Sequence, residues 1–370
     1  MVRLRNGVLL RGHEHWAARE EFEMRALYLL GPERMEFREL PEPVPGPGEA
    51  LIRVKSVGVC ASDSHRYLHG KLGDEEMPGP LILGHEFSAE VVEVGQGVTA
   101  VRPGDRVAVE PARHCGRCEM CRMGHPNLCP EVQFCGTPPI DGCLRELMAY
   151  PAELLYPLPE EISFDEGALL EPLGVALHSI RLGHFKPGWT AAILGAGPIG
   201  LCTLLLLRAA GAAQVIVTDR LDYRLDLAKR LGADESLNSD REDVVQGVLD
   251  LTHGRGVDVV FEAAGVRETP EQAVEIARPG GNVVLIGIPV DEWICFRSTP
   301  SRRKGLSLYM VRRMKHVYEY TIPMVQGGLV DLRPLITHHF PFSRAEEAMR
   351  TAVHYRDGVV KALVHVDQWQ

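Results

Sequence analysis

The chain has 370 residues, 45% hydrophobic and 24% charged, enough for two domains that each bury a core, which excludes intrinsic disorder as the main state. Forty Lys and Arg against fifty Asp and Glu leave a formal charge of −10, and a nucleic-acid binder shows a basic excess or stripe instead, so nucleic acid is excluded as a partner. The longest apolar stretch, Ile199 to Leu207, ends at Arg208, well short of the ~20 residues that cross a bilayer, so no membrane partner is expected.

Residues 1–23 are polar, without a clear period, and their only apolar run is Val8, Leu9 and Leu10, too short for a signal-peptide core. They read as a loose extension of a cytoplasmic protein, and the first hydrophobic strand pattern is expected after Met24. From Met24 to Tyr156, β-branched runs such as ALIRVKSVGVC, SAEVVEVG and DRVAVEP are broken by Gly and Pro, the pattern of a compact, mostly antiparallel domain. From Pro187 onward strands and helices alternate. TAAILGAG leads into an Ala/Leu-rich helix, QVIVTD into LDYRLDLAKRLGA, and DVVFEAAG through another helix to NVVLIGIP, which predicts a parallel, doubly wound sheet.

After Lys315 the pattern is mixed again and ends in a helix around Ser343 to Val353 and the strand VVKALVHV. That terminal strand needs a partner, and the first domain is the simplest one. The expected division is 24–170 with 315–370 for the first domain and 171–314 for a nucleotide-binding domain inserted into it. The apolar run Asn282 to Pro289 is expected to be an edge strand that pairs across subunits.

Gly195, Gly197 and Gly200 form G-x-G-x-x-G between an apolar strand and a helix, with Pro198 and Ile199 opening the helix. The first glycine permits the tight turn, the second the approach of a pyrophosphate, and the third close helix–strand packing, while the helix N-terminus offers N–H groups to phosphate. Asp219 ends the next strand, where it can accept hydrogen bonds from adenosine ribose hydroxyls and repel a 2′-phosphate, so NAD is expected over NADP. Arg220 beside it is the feature that favours NADP. The competing explanation is that the glycines serve packing alone and that Asp219 caps the following helix.

Nine cysteines are few for a disulfide scaffold, and four of them, Cys115, Cys118, Cys121 and Cys129, fall in one short segment. Four thiolates at these spacings can close around one tetrahedral zinc and leave no open position, so this site is expected to be structural. A disulfide pair and an iron–sulfur cluster are the alternatives. A second, dispersed set is Cys60, His85 with Glu86, and Glu171. Such mixed soft and hard donors suit a catalytic zinc with one position left for water or substrate. Singly, each of these residues is equally at home in a core or at a helix start.

GHEFSAEVVEVG (Gly84 to Gly95), the four-cysteine lobe and GAGPIG together resemble the zinc-dependent medium-chain dehydrogenase family. SDSHRYLHG, FCGTPPIDG and ALLEPLGVALHS are most similar to its polyol dehydrogenase branch, and the likeness runs in order from about Met24 to the C-terminus. The resemblance implies a GroES-like, mostly β catalytic domain with a Rossmann domain, two zinc ions per chain, NAD, and a homodimer or homotetramer. It implies a catalytic zinc on Cys60 and His85 with Glu86 or Glu171 as the carboxylate ligand. Asp63 matches the acid that orients the histidine ligand, and Ser62 and His65 match a proton relay from the substrate alcohol to solvent.

The sequence departs from the family in three places. Ala89 stands where the GHE signature usually has glycine, Arg66 where polyol dehydrogenases usually carry a tyrosine near the substrate, and VRRMK (Val311 to Lys315) near the usual substrate arginine. Arg66, Phe134 and Arg312, with Arg313 as the alternative to Arg312, are candidate substrate residues, and the arginines point to an anionic sugar unless they pair with surface acids. The expected activity is hydride transfer between NAD and a secondary alcohol of a polyol or sugar. A threonine 3-dehydrogenase-like enzyme, a sugar-acid or sugar-phosphate dehydrogenase, and a non-catalytic zinc-stabilised scaffold are the alternatives.

Overall fold

The computed structural model describes residues 18–73, 75–289 and 293–370, with side chains from residue 23 onward. The chain opens on β1 (Ala18–Gly31), which pairs antiparallel with β2 (Arg34–Pro43) and at its far end with Leu81–Ile82. The strand thus begins before the hydrophobic pattern does. Its first residues pair by backbone with the end of β2, across a bulge between Arg19 and Glu23, and backbone pairing leaves no apolar alternation to read. Residues 1–17 of the expected extension lie outside the described residues.

The second sheet has seven strands. β3 (Glu49–Gly58) lies at its centre, followed by α1 (Ala61–His69), β4 (Glu86–Val94), β5 (Arg106–Val109), β6 (Leu147–Pro151) and β7 (Leu155–Pro157). Strands β3, β4, β5 and β7 are neighbours in that order, and β6 also pairs with β3. α2 (Phe164–Leu182) starts at a full capping box between Ser163 and Glu166. Ala168, Leu169, Leu170, Leu173 and Leu177 are all buried on it, because it packs on this sheet with one face and on a helix of the next sheet with the other.

The third sheet is six-stranded and parallel. Its elements are β8 (Thr190–Leu194), α3 (Pro198–Ala209), β9 (Gln214–Asp219), α4 (Asp222–Arg230), β10 (Glu235–Asn238), α5 (Val244–Leu251), β11 (Val257–Glu262), α6 (Thr269–Ile276), β12 (Ala277–Leu285) and β13 (Ser307–Met310). The spatial order β10-β9-β8-β11-β12-β13 is the 3-2-1-4-5-6 order of a doubly wound dinucleotide-binding sheet. Its switch point lies between β8 and β11. The expected edge strand is an interior one: β12 pairs with β11 on one side and β13 on the other, so the edge is Ser307–Met310. An apolar run buried on both sides and one at an edge have the same composition.

β14 (Ile336–Pro341), α7 (Ala345–Val353) and β15 (Lys361–His365) close the chain. β15 pairs antiparallel with β3, Leu363 opposite Gly58, and parallel with β14. The C-terminal strand therefore belongs to the same sheet as β3 and β4, the strands that flank the dispersed metal-ligand candidates.

Candidate active site

The glycine motif sits at the C-terminal end of β8, at the switch point. Gly195 has φ +102°, and a Cβ there would meet the Ala264 backbone nitrogen at 2.9 Å. Gly200 is tighter still, since its Cβ would lie 1.9 Å from the Gly195 carbonyl oxygen. Asp219 Oδ2 accepts from Ala196 N at 2.7 Å and Oδ1 from Leu221 N at 2.9 Å, so the carboxylate braces the glycine loop at its rim. Arg220 turns away and pairs with Asp240 at 2.8 Å on the surface. Arg224, which sequence reasoning passed over, comes within 3.9 Å of Asp219 and lies near the open face of Gly197.

Cys115, Cys118, Cys121 and Cys129 bring their sulfurs within 4.8 Å of one another. Backbone N–H groups of Cys115, Cys118 and Cys121 donate to sulfurs of the set at 3.3–3.5 Å. The Arg117 and Cys118 backbone amides hold the Cys115 thiol down at about 7, which favours the thiolate form that binds metal. All four are free thiols, and a tetrahedron with Zn–S bonds of ~2.3 Å fits inside this spacing.

Cys60 precedes α1, and His85 and Glu86 stand at the start of β4. Their donor atoms also converge within 4.8 Å, in a buried setting. His85 Nδ1 faces the buried carboxylate of Asp63 at 3.5 Å, which leaves the other ring nitrogen free for a metal. Ser62 donates to the Cys60 sulfur at 3.3 Å. Glu171, in the middle of α2, is fully buried beside this group. Burial, with the charge of Glu86, pushes its carboxyl up to about 7 against the pull of His85. Cys60, Asp63, Glu86 and Glu171 thus crowd acidic groups into one dry pocket, a donor set that suits a divalent cation.

One resident cation partly offsets them. Lys361 on β15, only 2% exposed, pairs with Glu86 at 2.6 Å and donates to the Val59 carbonyl at 3.0 Å. It was missed in the sequence, although a lone lysine inside the apolar run VVKALVHV is the signal of a buried, paired charge. Glu86 finds room because Gly58 has no side chain: a Cβ there would lie 2.3 Å from Glu86 Oε2.

A cleft of about 350 Å³ is lined by His65, His69, Lys71, Leu72, Gly73, Ile288 and Pro289, so it runs between α1, which Cys60 caps, and the loop after β12. Burial and the neighbouring His69 lower the His65 pKa, keeping the ring neutral and able to accept a proton. Arg66 is 1% exposed and bonds Glu75 at 2.5 Å and Thr137 Oγ1 at 3.4 Å. Phe134 packs on His85 with ring centroids 5.1 Å apart. Arg313 stacks on the other side of this network, 3.8 Å over the Phe134 ring, whereas Arg312 is exposed. Arg313 sits at φ +54°, a backbone conformation uncommon for a residue with a long side chain.

Residues 46–160 match the alcohol dehydrogenase GroES-like domain, and residues 198–327 match the zinc-binding dehydrogenase domain. A sorbitol dehydrogenase of Bacillus subtilis is 35% identical over 342 residues, covering 92% of this chain and 97% of its own length. The chain belongs to the zinc-binding alcohol dehydrogenases. This dehydrogenase is also 36% identical over 336 residues to the L-idonate 5-dehydrogenase of Vitis vinifera, covering 89% of the chain and 92% of that protein. Among solved structures, an alcohol dehydrogenase of Escherichia coli CFT073 in complex with NADH superposes with a TM-score of 0.86 at 30% identity, covering 93% of this chain and 99% of that one. A zinc-binding dehydrogenase of Sinorhizobium meliloti bound to NADP gives a TM-score of 0.86 at 33% identity, covering 93% and 100%. The dehydrogenase is thus an oxidoreductase with a small-molecule substrate. Among its described residues no helix is long and apolar enough to cross a membrane.

Proposed function

We propose that this dehydrogenase oxidises a secondary alcohol of a polyol or sugar with NAD, in the cleft between a domain of residues 24–170 with 315–370 and a domain of residues 171–314. The observation that carries the reading is the convergence of Cys60, His85 and Glu86 within 4.8 Å, where Cys60 caps α1, the helix whose His65 and His69 line a cleft that ends at Ile288 and Pro289. Bound zinc supplies Lewis-acid polarisation of a hydroxyl, and bound NAD supplies the hydride acceptor. Cys60, His85 and Glu86 are the residues that hold the zinc, with Glu171 behind them as the alternative carboxylate. Asp63 fixes the His85 ring. Ser62 and His65 carry the hydroxyl proton toward the cleft mouth, a task for which His65 is kept neutral. The four-cysteine lobe holds a second, structural zinc. Asp219 at the rim of the glycine loop favours the ribose of NAD, and the pairing of Arg220 with Asp240 supports that reading. Free thiols at the four-cysteine site fit the reducing cytoplasm.

One observation favours a second reading, an anionic sugar such as a sugar acid or sugar phosphate. Arg66 and Arg313 each keep a buried Nη1 without a hydrogen-bond partner among the described residues, and both lie against the segment 134–137. Glu75, bonded to Arg66, already shows the kind of group they attract. NADH formation and zinc content, measured across alditols, aldoses, sugar acids, sugar phosphates and threonine, decide between these readings. About two zinc per chain and turnover of a neutral polyol is the expected result. Turnover confined to anionic sugars, and lost in Arg313→Ala, establishes the second reading. Turnover of threonine alone, or of nothing, overturns both. Asp63→Ala is expected to lower activity about 10–100-fold through looser zinc.

We infer a homodimer built through β13. This edge strand leaves Leu308 and Met310 exposed, Met310 at 65%. Met310→Lys is expected to give a smaller species in size-exclusion chromatography with light scattering. An unchanged mass for the variant removes β13 from the interface.

A further inference from the structure

A third cluster of metal donors lies away from the cleft. Asp165 is in the first turn of α2, His339 is on β14 and His365 is on β15. Their donor atoms lie within 4.8 Å of one another. His365 Nε2 is 3.0 Å from Asp165 Oδ1, His339 Nδ1 is 3.3 Å from that same His365 nitrogen, and His339 Nδ1 is 3.5 Å from Asp165 Oδ2. In a tetrahedral zinc site with bonds of about 2.0–2.1 Å, adjacent donors are about 3.3–3.4 Å apart. The two ring nitrogens are separated by about one tetrahedral edge, and each lies near that distance from one of the two Asp165 oxygens.

From this convergence we infer that Asp165, His339 and His365 bind a divalent transition-metal ion of the zinc class, with the remaining coordination position open to solvent on the side of the half-exposed His339. Hydrogen bonds alone cannot serve all three edges, because each ring nitrogen carries at most one proton while each of the two faces both other donors. A cation at the centre uses all the lone pairs at once. Two imidazole nitrogens with one carboxylate select zinc, cobalt, nickel or copper over magnesium or calcium.

One donor is held in place from behind: Ser56 on β3 donates to Asp165 Oδ1. Ser56 stands opposite His365 in the β3–β15 register, and Pro341, two residues after His339, stands opposite His365 in the β14–β15 register. The nearby cation on β3, Lys55, is engaged by Glu90 at 3.0 Å and Asp367 at 3.4 Å. A metal here ties the two C-terminal strands to the start of the helix that carries Glu171, so its occupancy is expected to stabilise the fold.

The test is a difference measurement on the zinc-loaded, full-length enzyme. Zinc equivalents are counted by elemental analysis after removal of excess ion, and calorimetric titrations are run with zinc alone, nickel alone and magnesium alone. The wild type is expected to take up one zinc more than His339→Ala, to bind nickel at the same extra site, and to ignore magnesium. Affinity at that site is expected to fall at least about tenfold in Asp165→Asn. His339→Asp, which supplies a carboxylate oxygen in place of the imidazole nitrogen, should recover the extra equivalent, and turnover should persist in His339→Ala because His339 neither lines the cleft nor belongs to the Cys60, His85 and Glu86 set. Equal zinc counts in wild type and His339→Ala overturn the inference, as does magnesium binding with equal strength. A separate count on Cys60→Ser reports on the catalytic zinc, so the two sites fail or stand independently.

Discussion

Lys361→Met is expected to lower folding stability by about 3–5 kcal/mol, the cost of leaving one partner of a buried ion pair alone. Lys361 and Glu86 are each 2% exposed at the side chain and pair at 2.6 Å, and the methionine offers the same length with no charge. The Glu86 carboxylate, seated in the space that Gly58 leaves open, then has no counter-ion on β15, and the Val59 carbonyl loses its donor. Lys361 thereby joins the residue before Cys60 to the residue after His85, so the variant is expected to lose zinc from the catalytic site while keeping it at the four-cysteine site. Denaturant unfolding with the Cys60, His85 and Glu86 site free of zinc measures the first effect, and zinc counting on the zinc-loaded protein measures the second. The double variant Lys361→Met, Glu86→Gln should regain part of the stability, because it removes the orphaned charge. A single variant within about 1 kcal/mol of wild type contradicts the buried pair.

The pH dependence of that loss follows from its sign. Burial opposes the Lys361 ammonium, but Glu86 and Cys60 outweigh it and lift its pKa above the ordinary lysine value. A raised folded-state pKa gives stability that is complete below the unfolded value and is lost only as pH rises through the folded one. The difference between wild type and Lys361→Met should therefore be flat from about pH 6 to 9.

Lys361 also marks what could be read from the sequence and what could not. The glycine motif and the four cysteines are local: a dozen or so residues of chain carry all the donors, so their spacing speaks for itself. The catalytic set is carried by α1, β4 and α2, elements far apart in the chain, and only the pairing of β3 with β4 and of β15 with β3 brings Cys60, His85 and Lys361 together. The resemblance to a family supplied what spacing could not. It did not foresee that Arg66 would be sealed against Glu75, and it left Arg312 and Arg313 as alternatives, of which Arg313 lies over Phe134, because both outcomes depend on irregular segments whose path spacing does not define. The interior position of β12 was likewise hidden, since the short strand that covers it, Ser307–Met310, carries little pattern of its own.

Gly200→Ala is expected to weaken NAD binding about 100-fold or more, and to do so through the fold. The added methyl would lie 1.9 Å from the Gly195 carbonyl oxygen and 3.2 Å from Ile193 Cγ2, so α3 has to move away from β8. On the proposed reading its N-terminus faces the pyrophosphate, and a displacement of about 1 Å at such a site costs about 100-fold. The Ala196 to Asp219 hydrogen bond of 2.7 Å lies in the same loop and shifts with it. Gly197→Ala provides the contrast. Gly197 has φ −71°, which alanine adopts freely, and its Cβ would meet only Arg224 Nη1 at 3.7 Å. That variant should unfold at the wild-type temperature yet bind NAD poorly, because the methyl occupies the surface the pyrophosphate must approach. Thermal unfolding and fluorescence titration with NAD, run on both variants, separate packing from recognition. If Gly197→Ala binds NAD as the wild type does, the loop does not carry the cofactor's phosphates. If Gly200→Ala is as stable as wild type, the strand and helix are not packed as closely as the 1.9 Å approach requires.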